Sequence, residues 1–301
     1  MKRDFLTLWD LSSDETESLL ARAKDLKAGK DSGKCPLIGR SLGLLFEKPS
    51  TRTRISFEVG IYQLGAMALT MNPSELQLGR GETLSDTAKT LSRYLSGIVI
   101  RTFAHSTLEQ FSANSSIPVI NGLSDLHHPC QILADMMTII ERKGRLRGLK
   151  VAFIGDGNNV CNSMIEAASL MGFNLRVACP EGFEPDAAIL EKATSSARSE
   201  IIVLRDPKEA AGLADVIYTD VWVSMGQEAH SREKKERFRE YQINDRLLSC
   251  SKKDVTVLHC LPAHRGEEIT DEVMDGHHSA VFDQAENRLH AQKALLEMLI
   301  K

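Results

Sequence analysis

Ser41-Leu42-Gly43-Leu44-Leu45-Phe46-Glu47-Lys48-Pro49-Ser50-Thr51-Arg52-Thr53-Arg54 reads as a strand that ends, turns and opens a helix. The first six residues form a short apolar run suited to a buried strand. Glu47-Lys48-Pro49 breaks it. Ser50 stands where a helix N-cap belongs, and Ile55-Ser56-Phe57-Glu58-Val59 carries the helix onward. A helix N-terminus offers backbone N–H groups and the positive end of the helix dipole. Here it adds three hydroxyls and two guanidiniums within residues 50–54. Arginine meets phosphate oxygens bidentately and keeps its charge at any working pH. The stretch therefore reads as a phosphate cradle. Taken alone, it also fits an N-cap with solvated arginines.

Moving outward, strand-like runs alternate with amphipathic helical stretches. Leu42–Phe46 is followed by Ala66–Thr70, Gly97–Arg101 and Pro118–Asn121, with helical patterns near 52–64, 83–95 and 106–113. A second set begins at Lys150–Ile154 and continues through Asn174–Ala178, Ile201–Leu204, Val216–Thr219, Thr256–Cys260 and Ala280–Phe282. Helical patterns near 159–171, 186–198 and 231–248 separate several of these. This is βαβ spacing, which predicts parallel sheets covered by helices. Pro129 suits a first helical position, and Gln131 to Arg142 continues as a helix that Gly144 ends. The expected fold is α/β, with two doubly wound domains joined by two bridging helices. The expected domains are 1–143 and 144–285, with a final helix over 286–301 packing back on the first. Residues 71–82, rich in glycine and polar side chains, read as a long mobile loop.

The bulk numbers narrow the class. A chain of 301 residues with 42% hydrophobic and 26% charged content suits a globular protein of two domains. A net charge of −4 argues against nucleic acid as a partner. Six cysteines, at 35, 130, 161, 179, 250 and 260, include no CxxC pair, so neither a zinc knuckle nor a redox pair is suggested. Their scatter fits a reducing compartment. The start, Met1-Lys2-Arg3-Asp4-Phe5-Leu6, lacks the apolar core of a signal peptide, and no stretch reaches membrane-span length. The expectation is a cytoplasmic protein without membrane contact.

Ligands of parallel α/β sheets collect at the carboxyl ends of strands. That rule ranks the remaining residues. Arg101 ends one strand; His127, His128 and Gln131 follow another. Asp220 and Ser224-Met225-Gly226 follow Val216–Thr219, and His259-Cys260-Leu261-Pro262 closes a strand of the second set. Each has a plainer reading. An arginine at a strand end is commonly a surface residue, and His128 beside Pro129 fits a helix cap. Cys260 in an apolar run fits a buried, inert thiol. Ser224-Met225-Gly226 fits a turn. Their shared place at strand ends raises them together. Gly155-Asp156-Gly157-Asn158-Asn159-Val160 follows a strand and opens a helix, as a dinucleotide fingerprint does, yet position 160 is Val where a third glycine belongs. A nicotinamide cofactor is rejected. An amide aimed at a small polar ligand, or a plain N-cap, remains.

Together these motifs resemble the carbamoyltransferases that use carbamoyl phosphate. Phe46-Glu47-Lys48-Pro49-Ser50-Thr51-Arg52-Thr53-Arg54 is similar to that family's signature, and His128-Pro129-Cys130-Gln131 to its second carbamoyl-phosphate motif. Asp220-Val221-Trp222-Val223-Ser224-Met225-Gly226 and His259-Cys260-Leu261-Pro262 resemble the ornithine branch and not the aspartate branch. The resemblance spans essentially the whole chain. It implies that Ser50, Thr51, Arg52, Thr53 and Arg54 hold the phosphate, and that Arg101, His128 and Gln131 hold the carbamoyl group with Arg288. It implies that Asn159, Asp220, Ser224 and Met225 hold ornithine, with Cys260 and Leu261 beside the reacting atoms. It also implies a homotrimer with shared sites, Gln77 reaching a neighbouring subunit. Cys130 falls at a variable place of its motif and takes no role.

The implied catalytic set is Arg101, His128, Asp220 and Cys260. The amine of ornithine must be neutral to attack, although an alkylamine's pKa is about 10. Charge that builds on the carbamoyl oxygen suits Arg101 and a protonated or donating His128. Phosphate departs into the cradle and can accept the proton, so no covalent intermediate, metal or organic cofactor is required. Rival readings are a carbamoyltransferase acting on putrescine or an acetylated ornithine, and a silent member that only binds phosphate metabolites or a partner.

Overall fold

A computed structural model describes residues 2–31, 33–72, 81–197, 199–223 and 231–300. Of the residues singled out above, Gln77, Ser224 and Met225 lie outside these, as does most of the 71–82 stretch. The chain divides into two compact units, residues 1–137 with 286–301, and residues 138–285. The division falls inside the bridging helix and not at its end.

In the first unit the elements run α1 (Ser13–Lys27), β1 (Ser41–Phe46), α2 (Thr51–Gln63), β2 (Met67–Met71), α3 (Leu84–Leu91), β3 (Gly97–Arg101), α4 (His105–Asn114), β4 (Val119–Leu123) and then α5 (Pro129–Lys143). The four strands are parallel, in the order β2-β1-β3-β4. Leu42, Leu44 and Leu45 of β1 and Ile98, Val99 and Ile100 of β3 are buried, as strands covered on both faces require. The sequence reading passed over α1, although its start is a capping box. Ser12 accepts from Glu15 N–H at 3.2 Å and Glu15 accepts from Ser12 N–H at 2.8 Å.

The second unit runs β5 (Lys150–Ile154), α6 (Asn159–Met171), β6 (Asn174–Ala178), α7 (Ala187–Ser196), β7 (Ile201–Leu204), α8 (Pro207–Ala211), β8 (Val216–Thr219), α9 (Ser231–Phe238), α10 (Asp245–Leu248), β9 (Thr256–His259) and α11 (Asp271–Met274). Its five parallel strands are ordered β7-β6-β5-β8-β9. The last helix, α12 (Val281–Leu299), leads back into the first unit. In each sheet the strand order reverses direction once, between β1 and β3 and between β5 and β8, which leaves a crevice at the carboxyl ends.

Two expectations are corrected. Ala280-Val281-Phe282 is not a strand; its apolar residues open α12, which therefore begins earlier than 286. A three-residue apolar run has no periodicity to tell strand from helix. The stretch 231–248 is also not one helix. A 3₁₀ turn at Arg239–Tyr241 follows α9, and Asn244 caps a separate α10 by accepting from Leu247 N–H at 3.1 Å. Among the described residues, no helix is long and apolar enough to cross a membrane.

Candidate active site

The first cluster sits at the β1/β3 crevice. Ser50 is extended and its hydroxyl accepts from Thr53 N–H at 3.2 Å, so α2 begins as the sequence predicts. Thr51 and Arg54 are exposed, and Ser50 and Arg52 are partly so. Thr53 is turned inward and accepts from Arg288 Nη2 at 3.1 Å. Arg288 is itself buried, and Nη1 donates to Gln131 Oε1 at 2.6 Å. Gln131 in turn donates to Asp135 at 2.8 Å. The Gln292 amide, oriented by its neighbours, accepts from Arg288 at 2.9 and 3.2 Å and donates to Ser56 at 2.6 Å. Three helices, α2, α5 and α12, thus fix one guanidinium. Buried charges need such satisfaction.

Arg101 ends β3 and is buried, as is His128 at the foot of α5. Burial pushes the His128 pKa well below its ordinary 6.5, and the Arg288, Arg101 and Arg52 guanidiniums push the same way. His128 is therefore a neutral imidazole. Of the two forms the sequence left open, protonated or donating, the surroundings disfavour the protonated one. Cys130 next to it is inert: burial pushes its thiol up to about 12, and Sγ donates to the Asn121 carbonyl at 3.3 Å.

The second cluster sits at the β5/β8 crevice of the other unit. Asp220 follows β8. Its Oδ1 accepts from Cys260 Sγ at 2.7 Å and from Val221 N–H at 2.8 Å, and its Oδ2 accepts from Asn158 Nδ2 at 2.7 Å. Asn158 also caps α6, its side-chain oxygen accepting from Val160 and Cys161 N–H at 3.0 and 3.2 Å. Asn159 is the first residue of α6 and is partly exposed. Gly157 serves the chain's own packing: a Cβ there would lie 2.3 Å from Glu184 C and Pro185 N. That close approach is why a glycine stands in the would-be fingerprint. Beside it, Asp156 pairs with Lys234 at 2.7 Å, both nearly buried. Burial raises the Asp156 pKa while Lys234 opposes the rise.

Cys260 comes one residue after β9, which ends at His259. Leu261 has a left-handed backbone, φ 59°, that a branched residue adopts only when held. His259 holds it: Nδ1 accepts from Leu261 N–H at 2.9 Å, and Nε2 donates to Glu268 at 3.1 Å. Glu268 also accepts from His264 N–H at 2.5 Å. Asp220, His259 and Cys260 bring potential ligand atoms within 4.8 Å of one another. Both imidazole nitrogens are already engaged, so His259 has no lone pair to spare for a metal.

The structure thus brings together Ser50 to Arg54, Arg101, His128, Gln131 and Arg288 in one unit, and Asn159, Asp220, Cys260 and Leu261 in the other. Sequence reasoning missed Asp135, Gln292 and Glu268, which carry no local signal. Asn158, in the stretch read as an amide toward a small ligand or a plain N-cap, does cap α6.

Residues 3–141 match the family described as aspartate/ornithine carbamoyltransferase, carbamoyl-P binding domain. Residues 147–299 match the same family's Asp/Orn binding domain. Over 302 residues the chain is 55% identical to the ornithine carbamoyltransferase of Syntrophus aciditrophicus (strain SB), covering 100% of both. The crystal structure of ornithine carbamoyltransferase from Gloeobacter violaceus is 47% identical with a TM-score of 0.90, covering 100% of this chain and 99% of that one. The Pyrococcus furiosus ornithine carbamoyltransferase structure is 48% identical with a TM-score of 0.94, covering 99% and 97%. Match, fold and clusters agree: this chain belongs to the aspartate/ornithine carbamoyltransferase family.

Proposed function

We propose that the protein transfers the carbamoyl group of carbamoyl phosphate to the δ-amine of L-ornithine, giving L-citrulline and phosphate. The observation that carries this reading is the whole-length identity with relatives named ornithine carbamoyltransferase. The two clusters supply its chemistry. Ser50, Thr51, Arg52, Thr53 and Arg54 hold the phosphate, and Arg288, fixed by Gln131 and Thr53, adds a buried cation. Arg101 and the neutral His128 donate to the carbonyl oxygen as charge develops there. Asn159, Asp220, Ser224 and Met225 receive ornithine.

Cys260 orients and does not attack. Its Sγ lies 2.7 Å from Asp220 Oδ1, a contact that supports a sulfur held by hydrogen bonding to a carboxylate. The ornithine amine itself attacks, and the departing phosphate takes the proton. Carbamoyl phosphate binds first, because its charge organises Arg52, Arg54 and Arg101.

A steady-state assay of citrulline and phosphate release tests the reading, with L-ornithine, putrescine and N-acetyl-L-ornithine compared as acceptors. Turnover with L-ornithine alone is expected. Preference for another amine, or no turnover at all, would replace the acceptor or the activity. Phosphate should inhibit competitively with carbamoyl phosphate and not with ornithine.

The assembly we infer is a homotrimer whose sites share Gln77 between subunits. What supports it is an apolar stripe on α2, where Ile55, Val59 and Tyr62 recur at helical spacing and are exposed, with Met67 and Leu69 exposed on the edge strand β2. Mixing Arg54→Ala subunits with Gln77→Ala subunits should restore one intact site per hybrid. No recovery after confirmed subunit exchange would count against sharing. We infer a cytoplasmic setting, supported by six free cysteines.

A further inference from the structure

Between β1 and the cradle stand Glu47 and Lys48, charged residues that the mechanism above leaves without a task. Glu47 N–H donates to the Arg101 carbonyl at 2.8 Å, extending the β1/β3 ladder to the residue that carries the catalytic guanidinium. The Glu47 carboxylate accepts from Thr102 Oγ1, and from Phe103 N–H at 3.4 Å. Lys48 reaches the other way. Its ammonium pairs with Asp125 and lies 4.2 Å from the centre of the Phe103 ring. Asp125 N–H donates back to the Phe103 carbonyl at 2.8 Å, and Ser124 N–H donates to the His127 carbonyl at 2.9 Å, one residue before His128. Two adjacent side chains therefore tie the ends of β1, β3 and β4 together.

Stability does not account for this arrangement. The Lys48 side chain is 8% exposed, so its charge loses hydration, while its partner Asp125 is 60% exposed. A pair with one solvated partner adds little to stability. A buried apolar side chain at 48 would stack on Phe103 as well and avoid the desolvation cost. What the charge adds is direction: it fixes the strand-end segment before His127 and His128 relative to Pro49 and Ser50.

We propose that Glu47 and Lys48 are positioning residues for carbamoyl transfer, holding Arg101 and His128 in register with the phosphate cradle. The proposal rests on the carbamoyltransferase reading above. Phosphate binding needs the cradle alone. The transition state needs the cradle and the carbonyl-oxygen donors aligned together. Displacing such a group by about 1 Å costs up to about a hundredfold in rate.

The test compares Lys48→Met, Lys48→Arg and Asp125→Asn with the unmodified protein. In Lys48→Met, kcat for citrulline formation should fall about tenfold or more. The Kd for inorganic phosphate, by calorimetry, should stay within about twofold, because the cradle is intact. Lys48→Arg, which can still reach Asp125, should recover most of the rate. Asp125→Asn changes a side chain that is 60% exposed and keeps an acceptor oxygen, so it carries the test should Lys48→Met fail to fold; its kcat should fall about threefold or more with phosphate binding unchanged. Unchanged kcat in Lys48→Met and Asp125→Asn would overturn the proposal. So would loss of phosphate affinity in step with rate, which would make Lys48 a phosphate ligand. Absence of citrulline from the unmodified protein would instead overturn the activity itself.

Discussion

Helices α2 and α6 begin in equivalent places, each just past the strand at which its sheet reverses order, and their starts are built for opposite charges. At α2, Ser50 accepts a single first-turn N–H, that of Thr53, and the surroundings are arginines: Arg52, Arg54, Arg101 and Arg288. At α6, Asn158 accepts two, from Val160 and Cys161, and the neighbours are carboxylates, Asp156 and Asp220. A helix N-terminus by itself favours anions. In the first unit that bias is left in place and reinforced. In the second it is spent inside the chain, and the acidic groups are Asp220 and an Asp156 already paired with Lys234. Equivalent topology places the two helix starts alike, while the cap and its neighbours set the charge around each.

Removing a cradle cation should strain this comparison most. Arg52→Ala should weaken carbamoyl phosphate by on the order of 2–5 kcal/mol and leave ornithine affinity, measured with an inert carbamoyl-phosphate analogue present, far less changed. Unchanged carbamoyl-phosphate affinity would remove the cradle from the account. Asn158→Ser separates the two duties of the α6 cap. Serine caps as well as asparagine, so the melting temperature should hold, but the donor to Asp220 is lost, and ornithine KM should rise by about 1.5–3 kcal/mol, the worth of a hydrogen bond to a charged group. A large stability loss with unchanged KM would make Asn158 a cap only.

Cys260→Ser should fold, keep measurable turnover and lose about 0.5–1.5 kcal/mol in ornithine kcat/KM. A carbamoyl-cysteine trapped from carbamoyl phosphate alone would reverse the mechanism. The smallest effect is on stability. His128 has a folded pKa below its unfolded value of about 6.5, so the unfolded chain binds the extra proton first and stability falls as pH drops below about 6.5. In His128→Gln that contribution is absent, and denaturation between pH 5 and 6.5 should show a shallower loss. An identical slope in both proteins would mean that His128 titrates normally.

The sequence was most legible where the information is local. The spans of β3 and of β5 to β8 follow from apolar runs between breakers, and Ser50 announces its helix within a few residues. The 280–282 stretch misled because a short apolar run fits either element. The network around Arg288 was legible only in part. Its bond to Gln131 joins residues 157 positions apart, and Asp135 and Gln292 are polar residues in helices whose pattern says nothing of what they face. Gly157 is a different case, a glycine left without a reason once the nicotinamide cofactor is rejected. A glycine after a strand suggests a nucleotide, but its lack of a side chain accommodates the Glu184-Pro185 backbone.

The arrangement of His259 makes that residue a gauge that can be read without assaying turnover. One ring nitrogen accepts from the Leu261 backbone and the other donates to Glu268, and the imidazole is wholly buried. Its Nε2 proton is shielded from exchange with water, and its two nitrogens should give well-separated resonances characteristic of a single fixed tautomer. Because Cys260 lies between His259 and the left-handed Leu261, any rearrangement of that turn must alter the bond at Nδ1. Nitrogen-edited spectra of a histidine-labelled sample would then follow the shape of the turn at Cys260 as each substrate is added.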